Sequence, residues 1–198
     1  MAAIASPYGL RPVNMQGGQP MTHGMRLMPI HIQPATPIAT YATSIYNGDL
    51  VKLTAGLLTK ETGTATALPI GVFLGVEYED ASLGLFHRQF WPASYVIKPS
   101  TTAWGYVVDD PDCLFEIQAA GPITAASLGL NIALVQPGAP NDGSAVTGKS
   151  KVSAGTTPAA TSTLPLRIVD FVKRPGSAVG DAYTDIIVRV NTHANRTP

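Results

Sequence analysis

Charge is scarce in this chain. Asp, Glu, Lys and Arg make up 13% of its 198 residues, about half the usual quarter of a soluble domain. Its 13 cations and 13 anions cancel, so electrostatic capture of nucleic acid or of an anionic membrane is not expected. A surface this poor in Lys, Asp and Glu associates readily when left bare, which favours a protein covered by partners. Cysteine is nearly absent too. Cys113 stands alone, so no intrachain disulfide is possible, and its apolar neighbours read it as a small buried hydrophobe. No run of eighteen apolar residues exists, which excludes a membrane-spanning helix. The start, Met1 to Tyr8, lacks a basic stretch and an apolar stretch, so a secretory signal is not expected and synthesis in a cytoplasm is.

What the chain has is turn chemistry and short β-patterned runs. It carries 19 glycines and 17 prolines, natural for strands joined by tight turns. Tyr106–Val108 is a β-branched and aromatic run, Asp109–Asp112 a turn built on Pro111, and Cys113–Gln118 alternates. Cys113, Phe115 and Ile117 fall on one face and Leu114, Glu116 and Gln118 on the other, which reads as two antiparallel strands of a hairpin at the centre of the domain. Other strands are expected at 50–53, 71–78, 89–92, 95–97, 164–173 and 183–191, with Gly71 and Gly75 where another backbone comes close. Asn47-Gly48-Asp49 reads as a turn. Thr124 is placed to cap a short helix that Gly129 ends.

The fold class expected is all-β, an antiparallel sandwich or barrel-like domain over 41–198 with one short helix and an extended N-terminal arm over 1–40. In that arm Pro7, Pro12, Pro20, Pro29, Pro34 and Pro37 recur too often for a helix. Tyr8, Leu10, Met25, Leu27, Met28, Ile30 and Ile32 are nevertheless too apolar for a solvated tail. An extended arm lying on its own domain or on a neighbour satisfies both facts, and stretched out it reaches roughly 130 Å at about 3.3 Å per residue. Residues 136–163 are small and turn-forming, so they read as a long loop or a second arm.

Candidate chemistry is thin. Gly143 to Ser150 matches the phosphate-loop pattern G-x-x-x-x-G-K-[ST], with Lys149 in the lysine position. The mechanism needs a strand before and a helix after, whereas turn residues precede this match and Val152–Pro158 cannot sustain a helix. Asp109, Asp110, Asp112 and Glu116 offer a carboxylate pair for glycoside hydrolysis or calcium ligands. The plain reading is a capped turn, with Glu116 on the outer face of a strand. His23, His31, His87 and His193 lack zinc-type spacing, and no G-x-S-x-G elbow occurs. Asn195-Arg196-Thr197 is a glycosylation pattern that matters only after secretion. Trp91, Trp104 and Tyr95 could line a sugar-binding face, although aromatics on strands more often serve cores or interfaces. No catalytic residue, metal or cofactor is expected.

The order of motifs carries a resemblance. Pro7-Tyr8-Gly9-Leu10-Arg11-Pro12-Val13 opens the series, followed by Ile45–Leu53, Gly71–Gly75, Phe90-Trp91-Pro92 and Val108–Gln118, then Leu164–Val169 and Val188–His193. Together they resemble a family of tailed-bacteriophage virion structural proteins common in cyanophages, the head decoration or cement proteins. The resemblance implies a non-enzymatic trimer on the capsid exterior, made in the host cytoplasm, that bridges adjacent major capsid subunits. The arm residues Tyr8, Leu10, Met25, Met28 and Ile30 are the expected interface. The alternative is a tail or fibre protein binding glycan through Trp91 and Trp104.

Overall fold

The computed structural model describes residues 4–16, 25–38 and 40–196; Pro20, His23 and Thr197 of the motifs above lie outside them. The chain is all-β. In chain order the strands are β1 (Arg11–Met15), β2 (Arg26–Ile32), β3 (Ile45–Tyr46), β4 (Leu50–Thr54), β5 (Leu57–Lys60), β6 (Gly71–Asp80), β7 (Gly84–Arg88) and β8 (Phe90–Trp91). They continue with β9 (Thr102–Val108), β10 (Cys113–Gln118), β11 (Asn131–Ile132), β12 (Leu134–Val135), β13 (Ser153–Ala154), β14 (Leu166–Phe171) and β15 (Asp185–Val190). The expected helix is a single 3-10 turn at Ala125–Ser127, and the Thr124 side chain makes no capping bond. No segment at 95–97 joins a sheet.

Two sheets carry the fold. The first has the order β1-β10-β15-β14-β11, and the second β2-β9-β6-β4-β5 with β7 also on β6. The second sheet curls until its end strands, β2 and β5, lie against one another. Its interior holds Met28, Ile30, Val51, Leu58, Phe73, Val76, Ala103 and Val107. Gly105 sits in this interior because an added Cβ would stand 2.8 Å from Leu58 and 3.2 Å from Ile30 and Phe73. A second core lies between the two sheets, where Leu50, Val72 and Val108 meet Phe115, Ile117, Ile168, Ile186 and Val188. Strands β4, β6 and β9 therefore bury side chains on both faces, and β6 reads as a nearly continuous apolar run. The expected close approaches are present: a Cβ on Gly71 would meet the Val108 carbonyl oxygen at 2.3 Å, and one on Gly75 the Arg88 oxygen at 2.9 Å.

The central hairpin is corrected. Strands β9 and β10 do not pair; β9 belongs to the curled sheet, with β2 and β6 as neighbours, and β10 to the other, between β1 and β15. The Asp109–Asp112 turn is a corner that carries the chain from one sheet to the other. Local turn chemistry is the same in both cases, so the sequence pattern does not distinguish them.

The arm is corrected as well. Residues 11–15 pair with β10 and residues 26–32 with β9, so the N-terminal segment supplies an edge strand to each sheet of its own chain. Pro12 and Pro29 fall at register shifts of these edge strands, where a missing N–H costs least. Leu10, Met28 and Ile30 are buried in the two cores.

Deleting residues 1–35 is accordingly expected to unfold the protein. The deletion removes two strands and the buried Leu10, Met15, Met28 and Ile30. Truncating one such side chain costs about 2–5 kcal/mol, against a typical total stability of about 5–15 kcal/mol. Loss of the cooperative thermal transition and of near-ultraviolet dichroism in the truncated chain is the check.

Candidate functional site

Three groups of side chains were candidates for chemistry, and the carboxylates among them are engaged within the fold. Glu116 points away from the inter-sheet core, yet it is buried because the N-terminal segment covers that face of β10. It accepts hydrogen bonds from Arg11 Nη2 at 2.5 Å and the Tyr8 hydroxyl at 2.8 Å, and it pairs with Arg174. Arg174 also bonds Asp185 at 2.8 Å. Burial opposes the Glu116 charge, but the Arg11 and Tyr8 hydrogen bonds and the two arginine charges outweigh it and hold the carboxyl below its ordinary range. The Tyr8 phenol is pushed up by burial and by Glu116, so it stays a donor. Nearby, the Ser6 N–H donates to Gln118 Oε1 at 2.7 Å, which fastens the same segment one step further along β10. The expected outer-face glutamate is thus a locked ion cluster.

The aspartates of the corner have separate partners. Asp109 pairs with Arg26 at 3.2 Å, Asp112 pairs with Arg196, and Asp110 Oδ1 accepts the Asp112 N–H at 2.7 Å. This last bond closes an Asx turn. Among the described residues no group of three or more His, Cys, Asp or Glu side chains is placed to hold a metal ion. No helix among them is long and apolar enough to cross a membrane.

The Gly143–Ser150 match is a looped turn and not a strand-to-helix junction. Gly143 and Ser150 bridge antiparallel, and the Ser144 N–H donates to the Lys149 oxygen at 2.9 Å. Gly143 is required by contact, since a Cβ there would stand 2.2 Å from the Tyr46 ring. Ser150 donates its hydroxyl to Asp49 Oδ1 at 2.6 Å. Asp49 Oδ2 meets Lys60 Nζ at 2.8 Å, and Lys60 reaches Asp142 at 3.1 Å. The Lys60 side chain is 4% exposed and that of Asp49 0%. Burial works against the Lys60 charge, but Asp49 and Asp142 outweigh it and raise its pKa. Sequence reasoning missed this triad. The signal available was a lysine two residues from Leu58 and so in phase with it on the strand, a weak one, because both carboxylates come from turn-rich stretches that read as solvent-facing.

The aromatic candidates separate. Trp91 is 0% exposed, packed edge-on against Tyr78 and Tyr95. It cannot share an outer face with Trp104, which corrects the paired-tryptophan glycan reading. Trp104 lies on the outward face of the curled sheet. In register with it stand Pro29 on β2 and Glu77 on β6, and the neighbouring row places Leu27 opposite Tyr106. Leu27, Ile32 and Trp104 are exposed there, as is Leu85 on β7, and Met25 stands 50% exposed just before β2. Tyr106 donates to Glu77 Oε2 at 2.5 Å, and His87 lies 3.7 Å from the same carboxylate, so polar groups interrupt the apolar surface.

Of the expected interface residues, Leu10, Met28 and Ile30 are core, Tyr8 is tied to Glu116 and Asp185, and Met25 alone is free on the outward face. Compared with family models, with curated proteins and with solved structures, the chain matches none.

Two predictions follow from the buried charges. Lys60→Met leaves two desolvated carboxylates together and is expected to cost about 3–5 kcal/mol in urea denaturation; a loss below about 1 kcal/mol would show the triad to be solvated. Glu116 has a folded-state pKa below its unfolded value. Its stabilising contribution is complete above the ordinary glutamate range and is lost as pH falls through the depressed value. Glu116→Gln is therefore expected to lower stability at neutral pH and to flatten the acid limb of a stability–pH curve.

Proposed function

We propose that this protein is a virion structural component of a tailed bacteriophage, a capsid decoration protein that binds the outside of the shell as a trimer and bridges adjacent major capsid subunits. The observation that carries the reading is the outward face of the curled sheet. Leu27, Ile32 and Trp104 stand exposed on paired strands, flanked by Met25 and Leu85. In a chain with 13% charged residues, few ionic groups keep such a surface apart from its neighbours. The candidate catalytic carboxylates are meanwhile held in structural ion pairs. The order of motifs, which resembles the head decoration proteins, points the same way. Binding through a rigid sheet face costs little ordering entropy, and modest contacts repeated over many copies act together as avidity does.

The test is a pair of substitutions on that face, Leu27→Asp with Trp104→Asp, made on exposed side chains so that the fold survives. Labelled wild-type protein is expected to decorate purified heads and to run as a trimer by native mass measurement. The double variant, with unchanged circular dichroism, is expected to lose at least about tenfold in occupancy, which corresponds to about 1.4 kcal/mol. Electron microscopy reads the location, and label on the tail would replace this reading with that of a tail or fibre component. A monomer with full head occupancy would remove the trimeric bridge.

A further inference from the structure

The N-terminal segment and the 143–151 loop face each other across an open cleft of about 520 Å³. Its walls carry Arg11, Lys149, Lys151 and Arg174, which are four of the chain's 13 cations, and no aspartate or glutamate among the described residues lines it. In a molecule with so little charge, this is a marked concentration of one sign. Two of the four cations are already committed: Arg11 and Arg174 bind Glu116, and Arg174 binds Asp185, both carboxylates lying buried behind the wall. Lys149 and Lys151 are exposed and have no carboxylate partner among the described residues.

The phosphate-loop sequence in this wall does not make a phosphate cradle. A cradle needs free backbone N–H groups converging on the anion. Here the Ser144 N–H goes to the Lys149 oxygen, that of Gly148 to the Ser144 oxygen, and those of Ser150 and Lys151 to the oxygens of Asn47 and Asp142. The Thr147 and Lys149 N–H groups go to the hydroxyls of Ser144 and Thr147. No residue of the 143–151 loop that lines the cleft therefore has a backbone N–H left for an anion.

The spacing of those side chains selects the ligand. Lys149 and Ser150 sit in β-bridges, to Asn47 and Gly143, so the backbone is extended there. Ser150 is buried, and the lysines on either side of it are exposed. Residues two apart on an extended chain point the same way, about 6.6–7 Å apart. That is also the repeat of alternate side chains on an extended peptide, whereas a single phosphate group concentrates its charge within one tetrahedron. We infer that this cleft is a binding site for an extended acidic segment of a partner protein, its alternate carboxylates meeting Lys149 and Lys151, while Arg11 and Arg174 stay paired with Glu116 and Asp185 behind them. The guanidinium fork suits carboxylates, as its bonds to Glu116 and Asp185 illustrate.

The inference stands on the cleft alone and is tested with the isolated full-length protein, so its failure leaves head binding through the apolar face untouched. The probe is a capped hexaglutamate peptide, titrated calorimetrically at low ionic strength, with tripolyphosphate as the comparator. Saturable binding of the peptide is expected, weakening as salt rises. Lys149→Ala with Lys151→Ala, both exposed and safe for the fold, is expected to weaken it about tenfold, equivalent to about 1.4 kcal/mol. Three outcomes overturn the inference: no saturable binding, binding unchanged in the double variant, or tripolyphosphate binding as tightly as the peptide, which would assign the cleft to phosphate.

Discussion

Asn47, Gly48 and Asp49 hold five separate stretches of chain together. The Asn47 N–H is shared between the oxygens of Gln89 and Gly148, its oxygen accepts from Ser150, and its side-chain amide donates to the Leu74 oxygen at 2.6 Å. Gly48 donates to the Phe73 oxygen and accepts from Leu10. Asp49 takes the Ser150 hydroxyl and the Lys60 ammonium. The N-terminal segment, β5, β6, the approach to β8 and the 143–151 loop thus converge on three residues. Gly48 has to be glycine: its φ is +94°, and an added Cβ would lie 3.0 Å from the Gly9 Cα. The inter-sheet core, the covered face of β10 and the basic cleft all depend on this junction, because it fixes where Tyr8 and Lys149 stand relative to the sheets.

That dependence explains what was legible in the sequence. The Asn-Gly-Asp turn was readable, since its residue types tolerate positive φ, but its tertiary role was not. Its partners come from other stretches of chain, and most of them are met through backbone groups that all residues share. The same limit applies to the corner at Asp109–Asp112. Its turn chemistry and the alternation of Cys113–Gln118 are both visible, but pairing partners are chosen by the whole sheet. Longer strands rich in β-branched, aromatic and other apolar residues, such as β6, β14 and β15, announce themselves. Those of two residues, such as β3, β11, β12 and β13, form because a neighbour offers an edge, and no local pattern precedes them.

The prolines of the N-terminal segment misled for a specific reason. Pro12 and Pro29 exclude helix and central strand alike, and the remaining option in isolation is an arm. Edge strands with bulges are the exception, and both prolines sit at one. The apolar side chains that suggested a grip on a neighbour are those that fill this chain's own cores. Glu116 shows the converse error. Alternation placed it correctly on the outer face of β10, and a polar residue on an outer face is normally wet. Here the folded-back segment brings Tyr8 and Arg11 over it, so a surface position became a buried ion cluster.

Scarcity of charge gives these arrangements a common logic. A buried ion must be paired or its desolvation is uncompensated, and this chain places Lys60, Asp49, Asp142, Glu116 and Asp185 in cores or under cover. Such internal pairing removes charge from the surface twice, by using both partners at once. Two features distinguish the outside, an apolar sheet face and a cleft edged by the exposed Lys149 and Lys151. These are built from different elements: the face from β2, β9 and β7, the cleft from the stretch before β1 and the 143–151 loop. For the proposed bridging role two chemically distinct surfaces are an advantage, because two equal apolar faces would also bind each other and drive open-ended association. One greasy face and one cationic cleft avoid that outcome. In the proposed role the exposed lysines of the cleft would repel those of other copies, while the face would bind a partner that covers leucine and tryptophan.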